Sequence, residues 1–276
     1  MGAPSVFDVI KLLFNPDVSK KLILQIAYQQ LSAIGLAKIL SAVLGSAIVG
    51  VSSIIKIPQI KKIINPKLLT QKVSVARGLS LEGISLETLV YLVHVLYNRQ
   101  NNNKFVNYGE TFLLGIQNVA IILLIEYYNL RAKLAKRDTL SEKKQIETAL
   151  KELATPISIM VGIVIFLTKI AEPTLVEALQ VLNIPLSIIS KLPQIKQNYD
   201  LKSTSHLSEI TVGANVLGSL IRVFTTIQSF NKLGRDYVLL AGYASSFIVN
   251  SFVAGQCYYY KKCYKRDENA DSKKLQ

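Results

Sequence analysis

The apolar positions of this chain gather into long runs, not into the one-sided stripe of a soluble amphipathic helix. Seven such runs cover 37–59, 81–98, 108–128, 153–170, 174–194, 208–228 and 237–260. Each is close to the ~20 residues a helix needs to cross a bilayer. Between them the chain turns polar: a basic stretch at 61–78, three asparagines at 101–103, a charged connector at 129–152, and the pair Glu172-Pro173. The pattern predicts an all-α membrane protein with seven transmembrane helices. Residues 1–36 form a lead-in, expected as an interfacial helix with Pro4 and Pro16 as early breakers. In the connector, Thr139 and Glu142 have the spacing of a capping box. The tail 261–276 is polar and is expected to be flexible.

Two of the runs end alike. Lys56-Ile57-Pro58-Gln59-Ile60-Lys61 recurs as Lys191-Leu192-Pro193-Gln194-Ile195-Lys196, 135 residues later. Proline removes a backbone donor and clashes with the preceding turn, so each pair is expected to end or kink its helix. Further on, Gly78-Leu79-Ser80 aligns with His206-Leu207-Ser208, and the stretch around His94 with that around Arg222, both at a spacing of 128. Residues 37–128 and 173–260 thus read as two three-helix repeats. The run at 153–172 is a linker helix between them, after the connector at 129–152. One extra crossing between two three-helix units gives both the same orientation. Such parallel repeats commonly hold a site between them near the bilayer midplane.

Charge sharpens this picture. Of 276 residues only 18% are charged, yet the net charge is +14. Basic residues gathered mainly in the segments between apolar runs fit poorly with a phosphate-tracking surface, so no nucleic acid is expected. They suit topology signalling and contact with anionic membrane lipids. With the N-terminus outside the cytosol, twenty of the 32 lysines and arginines fall on the cytosolic side, which predicts a luminal N-terminus and a cytosolic C-terminus. Cys257 and Cys263 would sit ~9 Å apart along one helix, so no disulfide framework is expected. No cleavable signal peptide is expected either. No catalytic motif of known spacing occurs, and no zinc spacing accompanies the two histidines, so neither an enzyme nor a cofactor or metal site is expected.

Two Pro-Gln pairs, each at the end of the first helix of a three-helix unit, resemble the PQ-loop membrane proteins. That superfamily includes SWEET-type sugar transporters, lysosomal cystine and cationic amino-acid exporters, and the KDEL receptor fold. Within it the chain is similar to the mannose-phosphate-dolichol utilization defect family. Lys56-Ile57-Pro58-Gln59, Gly78-Leu79-Ser80-Leu81, Tyr108-Gly109-Glu110, 180–185 and above all 218–228 carry that likeness. It covers about 36–260. The resemblance implies an endoplasmic-reticulum protein needed for the use of dolichol-phosphate-mannose and dolichol-phosphate-glucose, by flipping or presenting the lipid-linked sugar, with glycosyltransferases as further partners. A PQ-loop transporter of a small soluble sugar or amino acid is the alternative.

Several residues then become candidates. Pro58 and Pro193 are the expected hinges, and the Gln59 and Gln194 amides can meet a polar substrate or each other. Arg222 is a charge inside a span, which usually faces a polar interior. Its guanidinium suits the phosphate of a lipid-linked sugar, or it pairs with Glu87. His94 occupies the matching place in the first repeat. Asn118, Asn183, Asn215 and Asn250 are amides suited to sugar hydroxyls or to holding helices together. Glu87 could couple protons, but the apolar stretches of runs one, six and seven hold no carboxylate to work with it, Glu209 standing at the polar start of run six. Lys273 and Lys274 look like a dilysine retrieval signal for the endoplasmic reticulum.

Overall fold

The computed structural model describes residues 36–103, 105, 108–136, 141–233 and 237–274, with isolated positions 19, 21, 25 and 28. The expected interfacial helix of the lead-in falls almost wholly outside them. Every element among the described residues is a helix. In chain order these are α1 (Leu36–Ser52), α2 (Ile57–Ile64), α3 (Leu69–Arg77), α4 (Leu81–Gln100), α5 (Gly109–Ala135), α6 (Glu142–Glu152) and α7 (Ala154–Ile165), which ends in a wider π-turn, Phe166–Ile170. The chain continues with α8 (Pro173–Val181), α9 (Asn183–Ile189), α10 (Leu192–Leu201), α11 (Glu209–Leu233) and α12 (Tyr237–Lys274). Among the described residues, three stretches are long and apolar enough to cross a membrane: Gly109–Ala135, Glu142–Ile170 and Glu209–Gln228. The count rises to five if two bent pairs each make one crossing. These are α3 with α4, bent by 61°, and α8 with Asn183–Leu201, bent by 56°.

The Pro-Gln pairs do not close helices; they open them. The chain breaks at Lys56 and again at Lys191, and Pro58 and Pro193 occupy the first turns of α2 and α10. A first-turn N–H has no intrahelical partner, so proline costs nothing there, and its fixed φ suits the helix. The basic stretch 61–78 is correspondingly helical, folded as the end of α2 and all of α3, with Asn65-Pro66 between them. The first and fifth apolar runs are therefore each split. The connector is also more ordered than expected. α5 runs on to Ala135, and α6 leads directly into α7. Ser141 is the N-cap of α6, without a side-chain capping bond; Thr139 lies outside the described residues. The tail is a continuation of α12, because no glycine or proline interrupts the chain between Gln256 and Lys274. The side chains of Lys273 and Lys274 are outside the described set.

Packing relates the two halves. In the first, α5 lies against α1, α3 and α4; in the second, α12 lies against α11 and α9. Between halves, α4 packs on α8, α9 and α10, while α11 packs on α1 and α2. The same kinds of contact thus occur twice with the halves exchanged. The largest apolar cluster draws on both halves: Ile63, Val73, Ala76, Ile121 and Ile125 from the first, Leu207 and Val253 from the second. Gly83 lets α4 approach the other half closely, since a Cβ there would fall 2.6 Å from the Ser190 carbonyl oxygen. By contrast, α7 has no buried residue, and Ile159, Val161 and Phe166 are exposed. A largely apolar helix with no buried residue suits a lipid surround.

Candidate functional site

The two Pro-Gln glutamines do the same job in opposite halves. Gln59 Oε1 accepts from the Ser208 backbone N–H at 2.6 Å, and Gln59 Nε2 donates to the His206 carbonyl at 2.9 Å. Gln194 Oε1 accepts from the Ser80 N–H at 2.8 Å, and its Nε2 donates to the Gly78 carbonyl at 3.2 Å. Each glutamine therefore clasps the Gly-Leu-Ser or His-Leu-Ser turn of the other half. A carboxamide offers one acceptor and one donor group side by side, which is what a backbone N–H and C=O two residues apart require. The turns in turn cap the following helices: Ser80 Oγ accepts from Gly83 N at 3.1 Å and Ser208 Oγ from Thr211 N at 3.4 Å.

One residue in these turns breaks the symmetry. Where the first half has Gly78, the second has His206, whose ring fills the space a Cβ on Gly78 would need. His206 Nε2 lies 3.0 Å from Asn198 Oδ1 and 3.2 Å from Gln194 Nε2. Burial, with the Lys62 charge nearby, pushes the imidazole down from its ordinary 6.5 to about 4. A folded-state value below the unfolded one means that the fold holds the neutral ring. The stabilisation is complete above pH 6.5 and is lost as pH falls towards 4. At pH 5 the loss relative to neutral pH amounts to about 2 kcal/mol. Thermal unfolding at pH 7 and pH 5 should show that drop in the wild type and a smaller one in His206→Asn.

Above the clasps lies a cavity of about 100 Å³ at the junction of the halves, lined by Lys56, Gln59, Glu87, Asn118, Lys191, Gln194, Asn215 and Asn250 among others. That is room for several water molecules. Its centre is a single carboxylate between two lysines. Lys56 Nζ is 3.0 Å from Glu87 Oε2 and Lys191 Nζ contacts Glu87 Oε1. Asn118 ties the first pair together: it accepts from Lys56 Nζ at 2.5 Å and donates to Glu87 Oε2 at 3.0 Å. Tyr91 OH donates to Glu87 Oε1 at 3.0 Å. Gln117 accepts from the Lys56 backbone N–H at 2.9 Å and donates to the Ser52 carbonyl at 2.6 Å, filling the bonds that the break before Pro58 leaves open. Lys56 is nearly enclosed, its side chain 7% exposed; that of Lys191 is 24% exposed and is the more accessible cation.

Of the candidate residues read from the sequence, Gln59, Gln194, Asn118, Asn215 and Asn250 line this cavity. Asn250 Nδ2 reaches the Asn215 carbonyl at 3.4 Å and Ser219 Oγ at 3.5 Å. Arg222, His94 and Asn183 are not among its lining. The Arg222 guanidinium is paired with Glu110, at the start of α5, and not with Glu87. His94 Nδ1 meets Gln180 Nε2 at 3.1 Å. Asn183 Nδ2 donates to the Val90 carbonyl at 3.2 Å and to Gln180 Oε1 at 2.9 Å, joining α8–α9 to α4. Lys56 and Lys191 are site residues that sequence reasoning misses. Each is the first residue of a repeated motif, which is a signal in plain view, but their meeting on Glu87 depends on how the halves pack.

No solved structure matches the chain. Residues 175–233, which run from α8 through the second Pro-Gln pair to the end of α11, match the family model described as PQ loop repeat. Residues 175–233 thus carry a PQ-loop repeat, and the chain, with helices apolar enough to cross a membrane, has the make-up of a multi-pass membrane protein.

Proposed function

We propose that the chain is a seven-span PQ-loop protein of the endoplasmic-reticulum membrane, with a luminal N-terminus and a cytosolic C-terminus. Its role is to let glycosyltransferases use dolichol-phosphate-mannose and dolichol-phosphate-glucose, by flipping or presenting the lipid-linked sugar and without catalysing a reaction on it. The fold reading behind this is two parallel three-helix repeats, α1–α5 and α8–α12, joined through α6–α7. The exchanged contacts and the reciprocal glutamine clasps support it.

The observation that carries the substrate class is the pair of lysines on one carboxylate. Two cations and one anion leave a positive excess in a low-dielectric interior, where an unpaired charge is costly. A phosphate seated against Lys191 offsets that excess. The Asn215 and Asn250 amides, in the same lining, are of a kind that suits sugar hydroxyls, while Asn118 is taken up by Lys56 and Glu87. The cavity as it stands is too small for a sugar ring, so loading requires the halves to part. That same small, amide-lined cavity favours the second reading, a transporter of a small soluble sugar or amino acid. The lipid-linked oligosaccharides of a strain lacking the protein decide between them. The proposal expects truncated species at the stage where the dolichol-linked mannose donor is first needed. A normal profile with impaired uptake of a free solute would instead establish the second reading.

A further inference from the structure

The two halves superimpose in sequence not only at the Pro-Gln pairs but across the whole charged layer. Lys56 corresponds to Lys191 at a spacing of 135. The spacing of 128 that aligns the two turns also places Glu87 opposite Asn215. Asn118 and Asn250 follow at 132. The structure repeats the pairing: Asn118 bonds the Glu87 side chain on α4, and Asn250 bonds the Asn215 backbone on α11. All six residues line the one cavity. A fully symmetric site would have two lysines and two carboxylates and no net charge. This one has an amide where the second carboxylate would stand.

We infer that Asn215 is the residue that makes the site anion-selective: the missing second carboxylate leaves Lys191 sharing Glu87 with Lys56, and the unmatched positive charge selects a ligand bearing a phosphate or other oxyanion. Among the residues lining the cavity, Lys56, Lys191 and Glu87 are the charged ones, so no other lining group cancels the excess. Among the described residues the Asn215 side chain makes no hydrogen bond, so its carboxamide has capacity for a ligand. Lys56 is held by Glu87, Asn118 and the Tyr91 ring, 5.6 Å away. Lys191 contacts Glu87 and is the more exposed of the two. An oxyanion entering the cavity takes up donors of Lys191 while Lys56 keeps its place beside Glu87. This inference deepens the proposed function and rests on the same cavity, but it concerns charge selection, whatever carries the anion.

The test is Asn215→Asp in the purified full chain, with Asn215→Gln for comparison. The ligands are a polyprenyl phosphate, the uncharged polyprenol of the same length, and mannose 1-phosphate with mannose as its neutral counterpart. Asn215→Asp should lower the preference for the phosphate over its neutral partner by at least about ten-fold, because a like charge is placed beside the ligand. Asn215→Gln should weaken both members of a pair alike and leave their ratio. Lys191→Met also makes the layer neutral, leaving Lys56 with Glu87, and should lose the preference in the same way; it decides the matter if Asn215→Asp does not fold. Equal ratios in the wild type and both neutralised variants would overturn the inference. If the wild type ignores polyprenyl phosphate but shows an Asp-sensitive preference for mannose 1-phosphate, charge selection by Asn215 stands and the lipid-linked reading falls. If polyprenyl phosphate is bound with no preference over the alcohol, selection by Asn215 falls and lipid handling stands.

Discussion

Replacing Glu87 by alanine should destabilise the protein by about 3–5 kcal/mol, the range for removing one partner of a buried ion pair. The expected value lies at the upper end, because two lysines lose the same counter-charge at once. Tyr91 and Asn118 lose an acceptor as well. The loss comes from stranding Lys56 and Lys191, not from the worth of the carboxylate itself. A triple replacement, Lys56→Met with Glu87→Leu and Lys191→Met, should therefore recover most of the stability lost in Glu87→Ala, since buried ionic groups exchanged for packed apolar ones are often neutral or stabilising. Thermal unfolding in detergent reads both effects. If Glu87→Ala unfolds like the wild type, the charged layer is not the buried triad described above.

The second large effect is expected at Gln59. Alanine there orphans the Ser208 N–H and the His206 carbonyl together, and each buried unpaired group costs about 1–3 kcal/mol. Gln194→Ala should cost less, because Gln194 is less enclosed than Gln59. Gln59→Glu should fare no better than alanine. A carboxylate can still accept from Ser208 but cannot donate to His206, and it sets a charge against a carbonyl oxygen. Since each clasp joins the two halves, limited proteolysis at the connections between helices should quicken in parallel with the loss of stability. A Gln59→Ala protein as stable as the wild type would show that the clasps do not hold the halves together.

Much of the scaffold is legible in the amino-acid sequence. The runs at 81–98, 108–128 and 208–228 correspond to α4, α5 and α11, since each is a continuous apolar stretch with a clear start. The alignment of Gly78-Leu79-Ser80 with His206-Leu207-Ser208 marks the two turns that the glutamines clasp. The Pro-Gln pairs read as helix ends because proline disrupts the helix before it, yet the same residue is equally suited to start the next one. Side-chain partnerships are harder to read. Arg222 and Glu110 stand 112 residues apart, and Lys191 and Glu87 stand 104 apart. No local periodicity joins such pairs; only the packing of α4 against α9 and α10, and of the second half against the start of α5, brings them together. Asn183 illustrates the same limit from the other side. An amide in a span looks alike whether it meets a ligand or, as here, ties α8–α9 to the Val90 carbonyl.

As proposed, the cavity between the halves handles a lipid-linked phosphosugar. The most direct measurement is on the full chain in proteoliposomes loaded with labelled dolichol-phosphate-mannose. The protein is expected to bind this lipid or exchange it between leaflets, and Lys191→Met is expected to remove the activity. Proteoliposomes that leave the lipid untouched while taking up a free sugar or amino acid would contradict it.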